Sequence, residues 1–344
     1  MKECTQTDNR TNVQKLKYNF VFLFAGDDYW QAILGKELYD CENVHVYQGA
    51  FEGSQFLKKL FKLHWAYRIN AKVNLPLKSL WFSRMYRQKF DNDLPRCFVF
   101  MGGNSIRFDG GFSDYVRKKD PRNKVVVIHN DLIAKKCLYD YSLVRNKVDL
   151  AVTYDKQEAQ KYGIHYFQET TYSKLVEEPE HVEFEQDVYF LGAAKDRLPK
   201  ILAVYRKLCD AGVKCKFQIA GVSKENQVHG EGLEYISGIP YKESLNHIIQ
   251  SKCVLELIQS GSCDITTRAL EAIAYRRRLL TDCPICDSEY FHDGQLQVFS
   301  DPEMIDVAFI KRPMTAEQYA PLFDLNPLRR LYDIQEQLER QSNE

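Results

Sequence analysis

The chain has 344 residues, 44% of them hydrophobic and 27% charged, a composition that excludes a wholly disordered or fibrous protein. Its length suits two domains of roughly 150 residues each. Lys+Arg and Asp+Glu both total 47, so no global charge favours a nucleic-acid partner and local charge has to be read instead.

No stretch approaches the roughly 18–20 apolar residues of a membrane span. Residues 1–17 are polar and lack the apolar core of a signal peptide, so a cytoplasmic protein is expected. Its ten cysteines are then expected as thiols, many of them buried.

The apolar run 20–25, followed by Gly26, Asp27 and Asp28, predicts a buried parallel strand ending in a loop. A helix should start near Trp30, and a short strand fits 44–47. A long basic and aromatic segment spans 56–90. Strands at 97–101 and 125–128 end in Gly102-Gly103-Asn104 and His129-Asn130-Asp131. A shorter strand, 150–154, precedes Asp155 and a helical stretch at 156–162. Strands alternating with helix patterns imply a parallel sheet with helices on both faces. Ligands bind at the carboxyl ends of such strands, so Asp28 and His129 share one rim.

Residues 177–185 are acidic, turn-rich and aperiodic, and read as an inter-domain linker. The alternation then restarts with strands at 188–191, 216–220, 253–257 and 278–281 and helices at 199–210, 241–251 and 266–275. An amphipathic helix at 329–340 ends the pattern. The expected division is an N-terminal domain at 1–176 and a C-terminal domain at 187–320. A last helical region at 321–344 is expected to pack back on the first domain.

The most informative segment is 256–274, where a buried strand runs into small polar residues and opens a helix. Free N–H groups and the positive dipole end at that helix start suit a phosphate. Thr266 or Thr267 caps the helix, and Arg268 lies in the first turn, placed to pair with phosphate oxygens. Glu271, one turn further, is a carboxylate suited to two ribose hydroxyls. The competing reading is a plain capped helix in which Thr267 and Glu271 form an imperfect capping box. A second candidate is the loop after strand 188–191. Gly192 permits close backbone approach, and Lys195 and Arg197 bring positive charge. The alternative there is a short strand–helix loop with solvated charges.

Cys283 and Cys286 have CxxC spacing, but no second pair follows at zinc-ribbon distance, so they read as loop cysteines. Asp91-Asn92-Asp93 precedes Leu94-Pro95 and reads as a turn. No metal is assigned to either. Between Gly53 and Phe90 there is no Asp or Glu, while Lys58, Lys59, Lys62, Arg84 and Arg87 alternate with Phe61, Trp65, Trp81 and Phe82. Such a run suits an anionic membrane surface. Nucleic acid is the other use of such a patch, though no nucleic-acid partner is expected; the remaining alternative is a pair of helices with aromatics in the core and cations in water.

Four stretches carry a resemblance: VDLAVTYDKQEAQKYG (148–163), DVYFLGAAKDRLPKI (187–201), GIPYKESLNHIIQSKCVLELIQ (238–259) and TTRALEAIAYRRRLLTD (266–282). The chain resembles GT-B glycosyltransferases, especially the bacterial group that builds capsule and lipopolysaccharide chains. The resemblance implies two Rossmann-like parallel-sheet domains facing a central cleft. It implies transfer of a sugar from a nucleotide diphosphate sugar to a glycan or lipid-linked acceptor, with no further cofactor. It also implies donor contacts from Gly192, Lys195, Arg197, Thr266, Thr267, Arg268 and Glu271, with Tyr241 near the base. A catalytic base in that fold comes from the N-terminal rim, for which Asp28 and His129 rank first. A location at the inner face of the plasma membrane follows from a lipid-linked acceptor. Many retaining members carry a second acid eight positions before the ribose-binding glutamate, where this chain has Cys263. Two other readings stay open: a nucleotide-sugar epimerase on the same fold, and a non-catalytic nucleotide- or lipid-binding scaffold.

Overall fold

The computed structural model describes residues 15–24, 35–70, 73, 75–101, 111–130, 133, 145–167, 170–258, 265–283, 290–313 and 321–343. Gly26, Asp27, Asp28, the helix start expected near Trp30, the loop at 102–104, Asp131, Cys263 and Cys286 lie outside the described residues. Two compact units emerge: Met1–Gln168 with Asn326–Glu344, and Glu169–Leu325.

The first unit contains β1 (Asn19–Phe24), β2 (Val44–Gln48), α1 (Gln55–His64), α2 (Tyr67–Asn70), α3 (Phe82–Met85), β3 (Arg96–Phe100), α4 (Gly111–Lys119), β4 (Lys124–His129), β5 (Leu150–Thr153), α5 (Lys156–Tyr162) and β6 (His165–Tyr166). Its strands form one parallel sheet in the order β2-β1-β3-β4-β5-β6, with Phe20 opposite both Val44 and Cys97. Because side chains alternate along a strand, the apolar runs feed two cores. Phe20, Phe22, Val99, Val126 and Val152 face one side. Val21, Leu23, Phe98, Phe100 and Val127 face the other. The second face is covered by Phe61 and Trp65 from α1, by Trp81 and Phe82, and by Phe112 from α4. Four aromatics of the basic segment are therefore core residues, and membrane contact does not fall to them.

The second unit contains β7 (Gln186–Ala193), α6 (Leu198–Asp210), β8 (Cys215–Ala220), β9 (Leu233–Ile236), α7 (Tyr241–Ile249), β10 (Ser251–Glu256), α8 (Thr267–Ala274), β11 (Arg278–Thr281), β12 (Leu296–Val298) and α9 (Val307–Lys311). Its parallel sheet has the order β12-β11-β10-β7-β8-β9. β7 is longer than its apolar run suggested, so Gly192 and Ala193 are strand residues paired with Ile219 and Ala220. Residues 177–185 belong to this unit. Glu178 pairs with Arg277 at 3.1 Å, and Glu185 accepts from Gln250 at 2.7 Å. The Tyr172 amide bonds the Leu325 carbonyl at 3.0 Å, closing the unit's two ends on each other.

The chain then returns to the first unit as α10 (Leu328–Asn343). Leu331, Tyr332, Ile334 and Leu338 follow helical spacing and enter the core that holds Phe20, Phe22 and Val126. Gln335 accepts from the Lys17 amide at 2.7 Å, fixing the approach to β1.

Candidate donor site

In the second sheet the chain starts centrally at β7, moves outward through β8 and β9, then crosses back to β10, which pairs with β7. The strand order therefore reverses between β7 and β10, and the crevice beyond their carboxyl ends is where open α/β sheets bind ligands. A hollow of about 770 Å³ lined by Gln186, Lys214, Cys215 and Gly232 lies at the opposite, amino edge, the wrong end for that rule.

Arg197 spans the reversal. Its guanidinium donates to the Ala193 carbonyl at 2.6 Å and to the Leu257 carbonyl after β10. Among the described residues its Nε has no partner and its guanidinium bonds are to carbonyls alone. Burial lowers the guanidinium's pKa, against the nearby charges of Asp196 and Asp282. Gly192 leaves room beside it: a Cβ there would meet the Phe190 ring at 2.9 Å. Lys195 adopts φ 44°, a left-handed backbone that costs a non-glycine residue of order 1–3 kcal/mol and clusters at ligand sites. Lys200 and Asp282 close the edge with a 2.7 Å ion pair, and Asp282 also accepts from the Ile258 amide at 2.7 Å.

Thr266 is the cap of α8. Its hydroxyl accepts from the Arg268 amide at 3.0 Å and donates to Glu256, whose other oxygen accepts from Thr281 at 2.5 Å. Burial pushes the Glu256 carboxyl up, and the two hydroxyls oppose this. Glu256 ties the helix cap to β11, a link that sequence pattern did not show. The signal for it was an acid inside the apolar run 253–257. Thr267 opens the helix, half-buried and one position beyond the cap.

Glu271 lies in the interior of this edge of the unit. It is 1% exposed, with one oxygen held by Arg268 at 2.5 Å and the other by the Tyr241 hydroxyl at 2.6 Å. Tyr172 sits 2.9 Å from the Tyr241 hydroxyl, extending the chain of donors. Burial pushes the carboxyl up, and the Arg268 charge works against that. Through these two bonds Glu271 orients Arg268 and Tyr241. Thus Gly192, Lys195, Arg197, Thr266 and Thr267 gather at the strand ends. Arg268, Glu271 and Tyr241 form a connected network behind the helix start.

His129 ends β4 in the first unit and is 4% exposed. Burial holds its imidazole down to about 4, against an ordinary 6.5. A folded-state pKa below the unfolded one means this contribution is full above pH 6.5 and lost as pH falls. The loss should reach about 3 kcal/mol near pH 4. Urea midpoints for wild type and His129→Asn should therefore converge between pH 6.5 and 4, and parallel pH curves would refute it. An imidazole so buried and weakly basic is poorly matched to a general base at neutral pH.

Among the described residues, no group of three or more His, Cys, Asp or Glu is placed to hold a metal. Asn92 accepts from the Leu94 amide at 3.0 Å and bonds Asn19 at 2.7 Å, the geometry of a turn. No described helix is long and apolar enough to cross a membrane.

No protein-family model matches the chain, and no curated protein matches it. Solved structures do. An alpha-glucosyltransferase in complex with UDP-glucose and abasic DNA aligns at TM-score 0.46 and 11% identity, covering 94% of this chain and 92% of that one. The glycosyltransferase SnogD from Streptomyces nogalater aligns at 0.41 and 11%, covering 94% and 95%. The T4 phage enzyme BGT, in complex with UDP and Mn2+, aligns at 0.42 and 12%, covering 94% and 93%. These three are glycosyltransferases by name.

Proposed function

We propose that the chain is a glycosyltransferase whose second unit binds a nucleotide diphosphate sugar at the carboxyl ends of β7 and β10. Arg197 carries the reading. It is a cation at the strand-order reversal, bonded to two carbonyls and to no described carboxylate, where an anionic ligand completes its coordination. Lys195 and the positive dipole end of α8 add positive potential on the same edge. Positive groups already in place stabilise the diphosphate as it leaves, and this reading invokes no resident metal. The acceptor is a hydroxyl of a glycan, with a lipid-linked carrier of surface polysaccharide synthesis as the class favoured by the acid-free basic segment. A cytoplasmic enzyme lying against the inner membrane face fits that acceptor.

The test is calorimetry and thermal shift against UDP, GDP, CMP and dTDP sugars. Ligand that binds only the native state raises the melting temperature. Arg197→Ala should bind the preferred nucleotide sugar about 10–100-fold more weakly, the loss of one charge-assisted contact. Arg197→Lys should fall between, because the planar fork is lost and the charge kept. Unchanged affinity in a folded Arg197→Ala protein would remove the assignment.

A further inference from the structure

Helix α1 carries more apolar surface than its unit can cover. Leu57, Phe61 and Trp65 lie on the face that packs into the core, where Phe61 stacks on Trp65 at 5.2 Å and meets Trp81 edge-on at 5.3 Å. Phe56, Leu60 and Leu63 recur at i, i+4 and i+7, a second stripe on one helix face. That stripe points to solvent: Phe56 is 74% exposed and Leu63 59%. Leu77 and Leu80 are also exposed. They are drawn beside the end of α1 by His64, which bonds the Pro76 carbonyl at 2.9 Å and accepts from Trp81 at 2.9 Å. Lys59 and Lys62, both exposed, flank the stripe. Neither they nor Lys58 has a carboxylate in its own segment, since Gly53–Phe90 contains none.

We propose that this face of α1, with Leu77 and Leu80, docks on an anionic phospholipid bilayer. Phe56, Leu60, Leu63, Leu77 and Leu80 enter the headgroup–acyl boundary while Lys59 and Lys62 meet lipid phosphates. The observation that selects this occupant is charge complementarity combined with apolar groups on the same face. A helix lying in the membrane interface needs both an apolar stripe and flanking cations. A nucleic-acid groove has no use for four exposed aliphatic side chains. The charge is read by the lipid headgroups within about a Debye length. The docking needs no nucleotide, so it stands or falls separately from the donor site.

The experiment is co-sedimentation of the full chain, without nucleotide, with vesicles of phosphatidylcholine alone and of phosphatidylcholine containing 30% phosphatidylglycerol (roughly the anionic content that gives a strong surface potential). Wild type should partition onto the anionic vesicles at least tenfold more strongly than onto neutral ones, and the preference should shrink in high salt. Phe56→Ser/Leu60→Ser/Leu63→Ser and Lys59→Glu/Lys62→Glu should each lose at least tenfold in partitioning. Both should keep the wild-type far-UV spectrum and melting temperature, because these side chains are outside the core. Equal partitioning of either folded variant overturns the proposal. So does a wild type that ignores vesicles while dimerising through this face by sedimentation velocity, or one that binds duplex DNA instead.

Discussion

Glu271→Ala is expected to destabilise the second unit by about 3 kcal/mol, because it strands a buried arginine. Arg268 and Glu271 are held at 2.5 Å, with side-chain exposures of 19% and 2%. Removing one partner of such a pair leaves the other's desolvation uncompensated. The residual exposure of Arg268 sets the loss at the low end of the about 3–5 kcal/mol found for fully buried pairs. Glu271→Ala also frees the Tyr241 hydroxyl, which otherwise donates at 2.6 Å. Urea unfolding followed by far-UV circular dichroism measures the loss. Arg268→Met combined with Glu271→Leu should recover most of it, since replacing both charges with apolar groups is often neutral. Additive single-mutant losses in that cycle would show that the pair is not coupled.

Leu331→Ala should cost about 2–5 kcal/mol, the range for truncating a buried leucine. Leu331 is fully buried, at the centre of the α10 stripe that closes the Phe20 and Phe22 face of the first sheet. The protein provides its own reporter. All three tryptophans, Trp30, Trp65 and Trp81, belong to the first unit. Denaturant midpoints read by tryptophan fluorescence should fall with Leu331→Ala. An exposed control on the same helix, Arg340→Ala, should stay within about 0.5 kcal/mol of wild type. A Leu331→Ala midpoint equal to that control would mean that α10 does not close this core.

The two sheets were legible because parallel strands buried on both faces read as apolar runs, as in 20–24 and 125–128. The helix at 156–162 was legible to the residue, because Asp155 caps it and Gly163 ends it at φ 58°. β6 and β12 were not, since two or three half-buried residues carry no periodicity. The strand-end position of the candidate residues was legible, and their contacts were less so. Small residues and cations at strand ends pointed to Gly192, Arg197 and Thr266. The strand reversal that singles out Arg197 depends on strand order, which a local pattern does not contain. For Glu271, spacing gives the helix face of a carboxylate. It does not reveal that Tyr241, 30 residues away, has already taken one of its oxygens. In the basic segment, the pattern could not divide core aromatics such as Phe61 and Trp81 from the exposed Phe56, because both sit among lysines.

The return of α10 has a consequence for synthesis. Residues 169–325 form a contiguous unit, complete once they have left the ribosome. The first unit starts earlier in the chain but lacks the helix that seals one face of its sheet until residues 328–343 emerge. Chain order and completion order are therefore reversed. During that interval Phe20, Phe22, Val99 and Val126 border a core that is still open. Nascent chains stalled before residue 326 should then be the species most prone to chaperone capture and aggregation.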